Sequence, residues 1–202
     1  MSDLLRRCVN TAWRLAAGLL RPSGRANLRR LRRRGEHPGE LRIRFATLAD
    51  LEALAALHVT TWNATYAPFG ARGPSVEIRA HQWRAAFEPE DPAWFCLVVE
   101  RRDGALVGFA QANRSGNPRF EGELGKIHLL RDYQRLGLGR RLVGHVARHF
   151  LEMGITSMWL YGDPRNPSIA AWLAMGAEKT DRNPANGNFG WRDIRPLAAF
   201  PP

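Results

Sequence analysis

The run Gln134-Arg135-Leu136-Gly137-Leu138-Gly139-Arg140-Arg141 holds the residue types of an anion cradle. Two glycines between a strand-like stretch and a helical one let the backbone approach a ligand, and the first N–H groups of the helix lack partners within it. Those N–H groups and the helix dipole suit a pyrophosphate, and Arg135, Arg140 and Arg141 add mobile positive charge around it. The run is not a Walker loop, because no Gly-Lys-Ser/Thr follows. Nor is it a Rossmann fingerprint, because the Gly-x-Gly-x-x-Gly spacing fails. Taken alone, the two glycines are explained as well by a tight turn.

The elements around the loop decide between these readings. A short alternating strand, Leu41–Phe45, opens an α+β region, and Thr47-Leu48-Ala49-Asp50 has the form of a capping box with Asp in place of Glu. Leu51, Leu54, Ala55 and His58 then recur at helical spacing, and a second helix is expected over 75–87. Trp94–Val99 and Ala105–Ala110 read as two antiparallel strands joined through Asp103-Gly104, the preferred chemistry of a tight hairpin. Glu123–Leu130 is the next strand. After the loop, Leu142, Val143, Val146, Ala147 and Phe150 mark one face of an amphipathic helix ended by Gly154. Strands at 157–161, 177–180 and 189–194 and a short helix at 169–175 complete a β-α-α-β-β-β-α-β-α-β-β order. The fold class is α+β, with a mixed, mostly antiparallel sheet of about seven strands flanked by helices on both faces.

The chain has 202 residues, 45% of them apolar, enough for one substantial core and an appendage. Its net charge is +11, but residues 1–40 carry ten arginines against Asp3, Glu36 and Glu40, which leaves +4 for the remainder. No basic stripe with interleaved aromatics follows, so nucleic acid is disfavoured as a partner. Cys8 and Cys96 are far apart and form no metal spacing, which fits a reducing cytoplasm, and no metal is expected. On a helical wheel of residues 4–21, Arg6, Arg7, Asn10, Arg14 and Arg21 oppose Leu5, Val9, Ala12, Trp13, Ala16 and Leu20. This basic amphipathic helix suits peripheral contact with an anionic membrane, or docking on the domain or on a second subunit in a homodimer. From Pro22 to Gly39 the arginine-rich sequence reads as a linker, which places the domain at 41–202.

Gln134-x-x-Gly137-x-Gly139 at a strand-to-helix junction resembles motif A of the GNAT superfamily of N-acetyltransferases, and Phe189-Gly190-Trp191-Arg192-Asp193 is similar to that family's terminal strand. The resemblance covers roughly residues 42–194 and implies acetyl-CoA as cofactor, its pyrophosphate wrapped by Gln134, Arg135, Leu136, Gly137, Leu138, Gly139 and Arg140. It implies direct acetyl transfer to a primary amine of a small-molecule or peptide acceptor. Glu123, eleven positions before Gln134, stands where several members keep a general base, and the backbone N–H of Leu129 where the fourth strand meets the acetyl carbonyl. If no bulge intervenes, strand parity puts Glu123 on one face with Ile127 and Leu129. Asn166-Pro167-Ser168 resembles motif B, which makes Asn166 a cofactor contact.

The sequence departs from the family at Ala171-Trp172, where many relatives have Phe-Tyr with the tyrosine near the sulfur. An indole N–H is not a practical acid. Tyr161, Tyr133 and Ser168 remain as hydroxyls that could serve the leaving thiolate. A non-catalytic acyl-CoA-binding module tethered by the basic helix is the alternative this departure leaves open. Trp62, Tyr66, Trp83 and Phe87 line an acceptor pocket or belong to the core.

Overall fold

The structure, a computed structural model, describes residues 23–88, 92–163, 166, 168–180 and 187–202. The amphipathic helix expected over 4–21 lies outside the described residues. A seven-stranded sheet runs in the order β1-β2-β3-β4-β5-β7-β6. Its strands are β1 (Arg42–Phe45), β2 (Phe95–Glu100), β3 (Leu106–Arg114), β4 (Gly122–Leu129), β5 (Met158–Tyr161), β6 (Glu178–Lys179) and β7 (Asn188–Trp191). Only β4 and β5 pair in parallel, and every other neighbouring pair is antiparallel. The β2–β3 hairpin turns at Asp103-Gly104 as its chemistry requires, with Arg101 N–H bonded to the Ala105 carbonyl at 2.9 Å.

The first described helix corrects the linker reading. α1 (Gly24–Arg33) occupies the arginine-rich stretch, its N-terminus capped by the Ser23 hydroxyl, which accepts from Ala26 N–H at 3.1 Å. Arginine is a good helix former, and Arg30, Arg32 and Arg33 in the last turn complement the helix dipole. Asn27 and Leu31, four positions apart, are both 0% exposed. A stripe of one amide and one leucine is too narrow for a periodicity count to register.

α2 (Leu51–Tyr66) and α3 (Val76–Phe87) cover one face of the sheet. They enclose a core of Leu51, Leu54, Trp83, Cys96, Val98 and Phe109. α4 (Leu138–Glu152) covers the other face together with α6 (Arg195–Ala198), and α5 (Ile169–Ala174) follows β5. All five residues expected on the inner face of α4 are buried, in one cluster with Leu31, Leu124, Met158 and Leu197. Among the described residues no helix is long and apolar enough to cross a membrane.

The start of α2 is fixed by charge. The capping box at Thr47–Asp50 forms, with Thr47 N–H donating to Asp50 at 2.8 Å, and Arg44 forks onto both Asp50 oxygens at 2.7 Å while also reaching Glu100 at 2.7 Å. The Arg44 hydrogen bonds hold the Asp50 carboxyl down at about 2. A carboxyl depressed in the folded state contributes stability above its unfolded pKa, and that contribution fades as pH falls toward the folded value. Asp50→Asn should therefore cost roughly 2 kcal/mol at neutral pH, and the cost should vanish between about pH 4 and pH 2, as measured by urea unfolding across that range.

Candidate active site

Two irregularities of β4 create the site. Parallel pairing with β5 is confined to Gly122–Met158 and Glu123–Trp159. Beyond Glu123 the strands separate, and β4 runs on to Leu129 beside an opening. Against β3 the register shifts from Gln111–Lys126 to Ala112–Leu124, which leaves Gly125 as the extra residue of a bulge. A Cβ at position 125 would stand 2.6 Å from Gln111 Oε1, so glycine lets the Gln111 side chain lie over the bulge.

The bulge overturns the expected parity. Glu123 shares its face with Lys126 and His128, toward α2 and α3, whereas Leu124, Ile127 and Leu129 pack toward α4. The face carrying Glu123 is polar. Lys126 Nζ donates to Gln111 Oε1 at 2.9 Å and sits 5.6 Å from the Trp83 ring centre, and Gln111 Nε2 donates to Asn113 Oδ1 at 2.8 Å. The His128 ring lies 5.2 Å from both His58 and Phe109. Burial pushes His58 down to about 3 and His128 to about 4, so both rings are neutral at pH 7. Burial also raises the Glu123 carboxyl above the usual carboxylate range, opposed by the charge of Lys126.

Leu129 turns its peptide toward the opening. Leu130 N–H donates to the Val107 carbonyl at 2.9 Å, so strand alternation directs the polar groups of Leu129 away from β3. Its carbonyl accepts from Gln134 Nε2 at 3.0 Å, which ties the loop to the strand end. The loop then passes through Arg135, a non-glycine residue at φ 63°, and Gly137 at φ 85°, which caps α4. A non-glycine left-handed residue persists only where its surroundings hold it. Around the first turn of α4 no acidic residue appears, and a Cβ at Gly137 or Gly139 would meet nothing within 4 Å. Open space in front of unopposed helical N–H groups fits an anion. Leu136 and Leu138 pack into the core behind them.

Helix α1 supplies the hold. Asn27 Nδ2 donates to the carbonyls of Arg131 and Gln134, both at 2.9 Å, and Arg30 and Arg34 pair with Asp132 at 2.9 and 2.7 Å. Gly24 abuts the Arg135 carbonyl so closely that a Cβ would stand 2.5 Å from that oxygen. The Tyr133 hydroxyl donates to Glu36, and its desolvation together with that bond pushes it up to about 12. Sequence reasoning missed this latch because its residues lie about a hundred positions from the loop.

The other expected site residues fall as follows. Arg140 is exposed with its guanidinium 4.9 Å from the Phe200 ring, and Arg141 is not mobile, because it donates to the carbonyls of Pro202 at 2.7 Å and Leu41 at 3.3 Å. Asn166 donates to the Tyr66 hydroxyl at 3.1 Å and accepts from Ser168 N–H at 2.9 Å, which joins the start of α5 to the end of α2. Trp172 is 8% exposed, edge-on to Trp191 at 6.5 Å, and is core. Of the acceptor-side aromatics, Trp83 is buried against Phe109 and His58, whereas Trp62 lies tilted against Tyr66 with ring centres 4.9 Å apart. A surface depression bounded by Glu40, Arg42 and Glu100–Arg102 lies at the β1 edge of the sheet and contains none of these residues.

The sequence model described as the acetyltransferase (GNAT) family matches residues 51–177, which takes in β4, the loop and α4. The chain belongs to that family. Among its relatives, the uncharacterized N-acetyltransferase YuaI of Bacillus subtilis (strain 168) is 28% identical over 169 residues, covering 77% of this chain and 95% of the relative. Among solved structures, an acetyltransferase from Thermus thermophilus superposes with a TM-score of 0.61 at 19% identity, over 75% of this chain and 96% of the other. The PaiA N-acetyltransferase from Thermoplasma acidophilum, solved in complex with coenzyme A, gives 0.56 at 20% identity, over 74% and 97%. The chain is an N-acetyltransferase with acetyl-CoA as its cosubstrate.

The latch has a measurable consequence for this acetyltransferase. Asn27→Ala leaves two loop carbonyls without their donor and frees the strained Arg135, which should weaken acetyl-CoA binding about tenfold in titration calorimetry. Retention of wild-type affinity in a folded variant would show that α1 is dispensable to the loop.

Proposed function

We propose that acetyl-CoA lies in the opening between β4 and β5, with its pyrophosphate on the Gln134–Arg140 loop, and that a primary amine enters from the α2–α3 side. The observation that carries this reading is the coincidence of splay and bulge, which sets Glu123 at the point where the strands separate. The amine nitrogen attacks the thioester carbonyl carbon. A C–N bond forms, the C–S bond breaks, and the proton released by the amine passes to Glu123, directly or through water. The N–H of Leu129, facing the opening, steadies the tetrahedral oxyanion. A raised pKa suits Glu123 to the role, because a base titrating nearer to neutrality takes a proton more effectively than an ordinary glutamate.

The departing thiolate takes its proton from water or from a hydroxyl. Tyr133 is unsuited to this, because its hydroxyl is committed to Glu36. Tyr161 is 63% exposed at the end of β5, and Tyr66, held by Asn166, is a further hydroxyl at the α2 end of the cleft. Trp172 serves packing, so its presence in the tyrosine place does not argue for a non-catalytic module. The acceptor is a small molecule or peptide carrying a primary amine. The enzyme works in the cytoplasm on this reading, and its 4–21 segment would make any contact with an anionic membrane.

Glu123→Gln should lower kcat by about 10² to 10³ while leaving acetyl-CoA affinity near wild type. In the wild-type chain kcat/KM should fall as pH drops through the raised Glu123 pKa, at a higher pH than an ordinary glutamate would give, and the variant should lose that limb. Thiol release followed across pH 5 to 9 checks both, and an unchanged rate would remove Glu123 as the base.

A further inference from the structure

The face of the sheet that carries Glu123 holds two cations that no carboxylate contacts directly among the described residues. Lys126 is half-buried, bonded among the described residues to the neutral Gln111 amide and set over the Trp83 ring. Arg79 projects from α3 onto the same side. Its Nη1 donates to Gln82 at 2.7 Å, whereas its Nε is shielded from solvent and has no hydrogen-bond partner among the described residues. Neither cation forms an ion pair within 4 Å among the described residues. Burial lowers both from their usual ranges, and the Arg79 charge lowers Lys126 further. His58 and His128, their neighbours, are neutral at pH 7 and offer no compensation. Glu123 is the one carboxylate among the groups whose charge acts on Lys126.

Two desolvated cations without a directly paired carboxylate cost free energy, and a lone shielded guanidinium N–H costs more. The arrangement is relieved when a ligand brings negative charge. Cations also disfavour a second ammonium group nearby, which excludes polyamine-like acceptors from this face. Because the bulge adds one residue, Glu123 and Lys126 stand as near neighbours on one face, roughly 7 Å apart along β4. A small acceptor that presents its amine to Glu123 therefore has Lys126 within reach on the same face.

We propose that Lys126 and Arg79 form an anion subsite of the acceptor pocket, and that the acceptor is a small amine bearing a carboxylate or comparable oxyanion. The inference rests on the reading of Glu123 as the base, because that reading places the amine beside Lys126. Gln111 and Asn113 position Lys126 by their linked side-chain hydrogen bonds. Gly125 leaves the room that Gln111 occupies.

The test compares free amino acids, α and ω, with their carboxamides as acceptors for the full chain, by thiol release from acetyl-CoA. Expected is a kcat/KM at least about tenfold higher for the free acid, carried mainly by KM. Lys126→Met and Arg79→Gln should each erode that preference, with a far larger loss for the acid than for the carboxamide. Equal use of acid and carboxamide, or equal loss for both in the variants, would overturn the subsite. Transfer to polyamines alone would overturn it while sustaining the Glu123 reading. If no amine is acetylated, the reading of the reaction fails, and the subsite is judged by binding. N-acetyl amino acids should then raise the melting temperature more than their carboxamides in the wild type but not in Lys126→Met, and the absence of that difference would refute it.

Discussion

One residue too many in β4 governs the arrangement of this molecule. With Gly125 inserted between the Leu124 and Lys126 pairings, the strand bends, its alternation resets, and polar groups that a regular strand would scatter over both faces gather on one. The same stretch is where β5 leaves β4 after two residue pairs. A sheet with regular pairing would have no opening there, since each backbone group on that side of β4 would be used by its neighbour. The bulge thus links backbone geometry to chemistry: it aims Glu123 and Lys126 together toward α2 and α3, while Ile127 and Leu129 stay on the core side.

The second constraint is the loop that leads into α4. Its backbone takes two left-handed positions within three residues, at Arg135 and Gly137, and only the second is a glycine. What offsets the strain at Arg135 comes from outside the matched family region: Asn27, Arg30 and Arg34 of α1 and its C-terminal end, and Gly24 against the Arg135 carbonyl. The salt bridges to Asp132 are half-exposed and individually weak, so the two Asn27 hydrogen bonds, made by a fully buried side chain, dominate the hold. The arginine-rich segment is therefore a structural part of the loop's support rather than a spacer.

Much of this was legible in the sequence where local chemistry is self-contained. Asp103-Gly104 announced its hairpin, Thr47 and Asp50 their capping box, and the apolar stripe from Leu142 to Phe150 the helix behind the glycine loop. The features that escaped depend on distant partners. Nothing in a period-two count marks the extra residue at Gly125, since glycine there answers to Gln111 on another strand, and the parity that a bulge-free strand would give Glu123 does not hold. Arg141 resembled a free cation beside the loop, but carbonyls at Leu41 and Pro202 engage it. The α1 helix escaped because Leu31 is its one buried leucine and Asn27 its anchor, a pattern that hydrophobic periodicity does not see. His128 packs against His58 and Phe109 within a polar face that also holds the proposed base.

The central claim is that acetyl-CoA occupies the opening bounded by Leu129 and the first turn of α4. Backbone amide hydrogen exchange of the full chain with and without acetyl-CoA tests it most directly. Bound acetyl-CoA should slow exchange at Leu129 and across Gly137–Arg140, with the α2–α3 layer little changed. Protection confined to α2 and α3, or none at the loop under saturating acetyl-CoA, would contradict it.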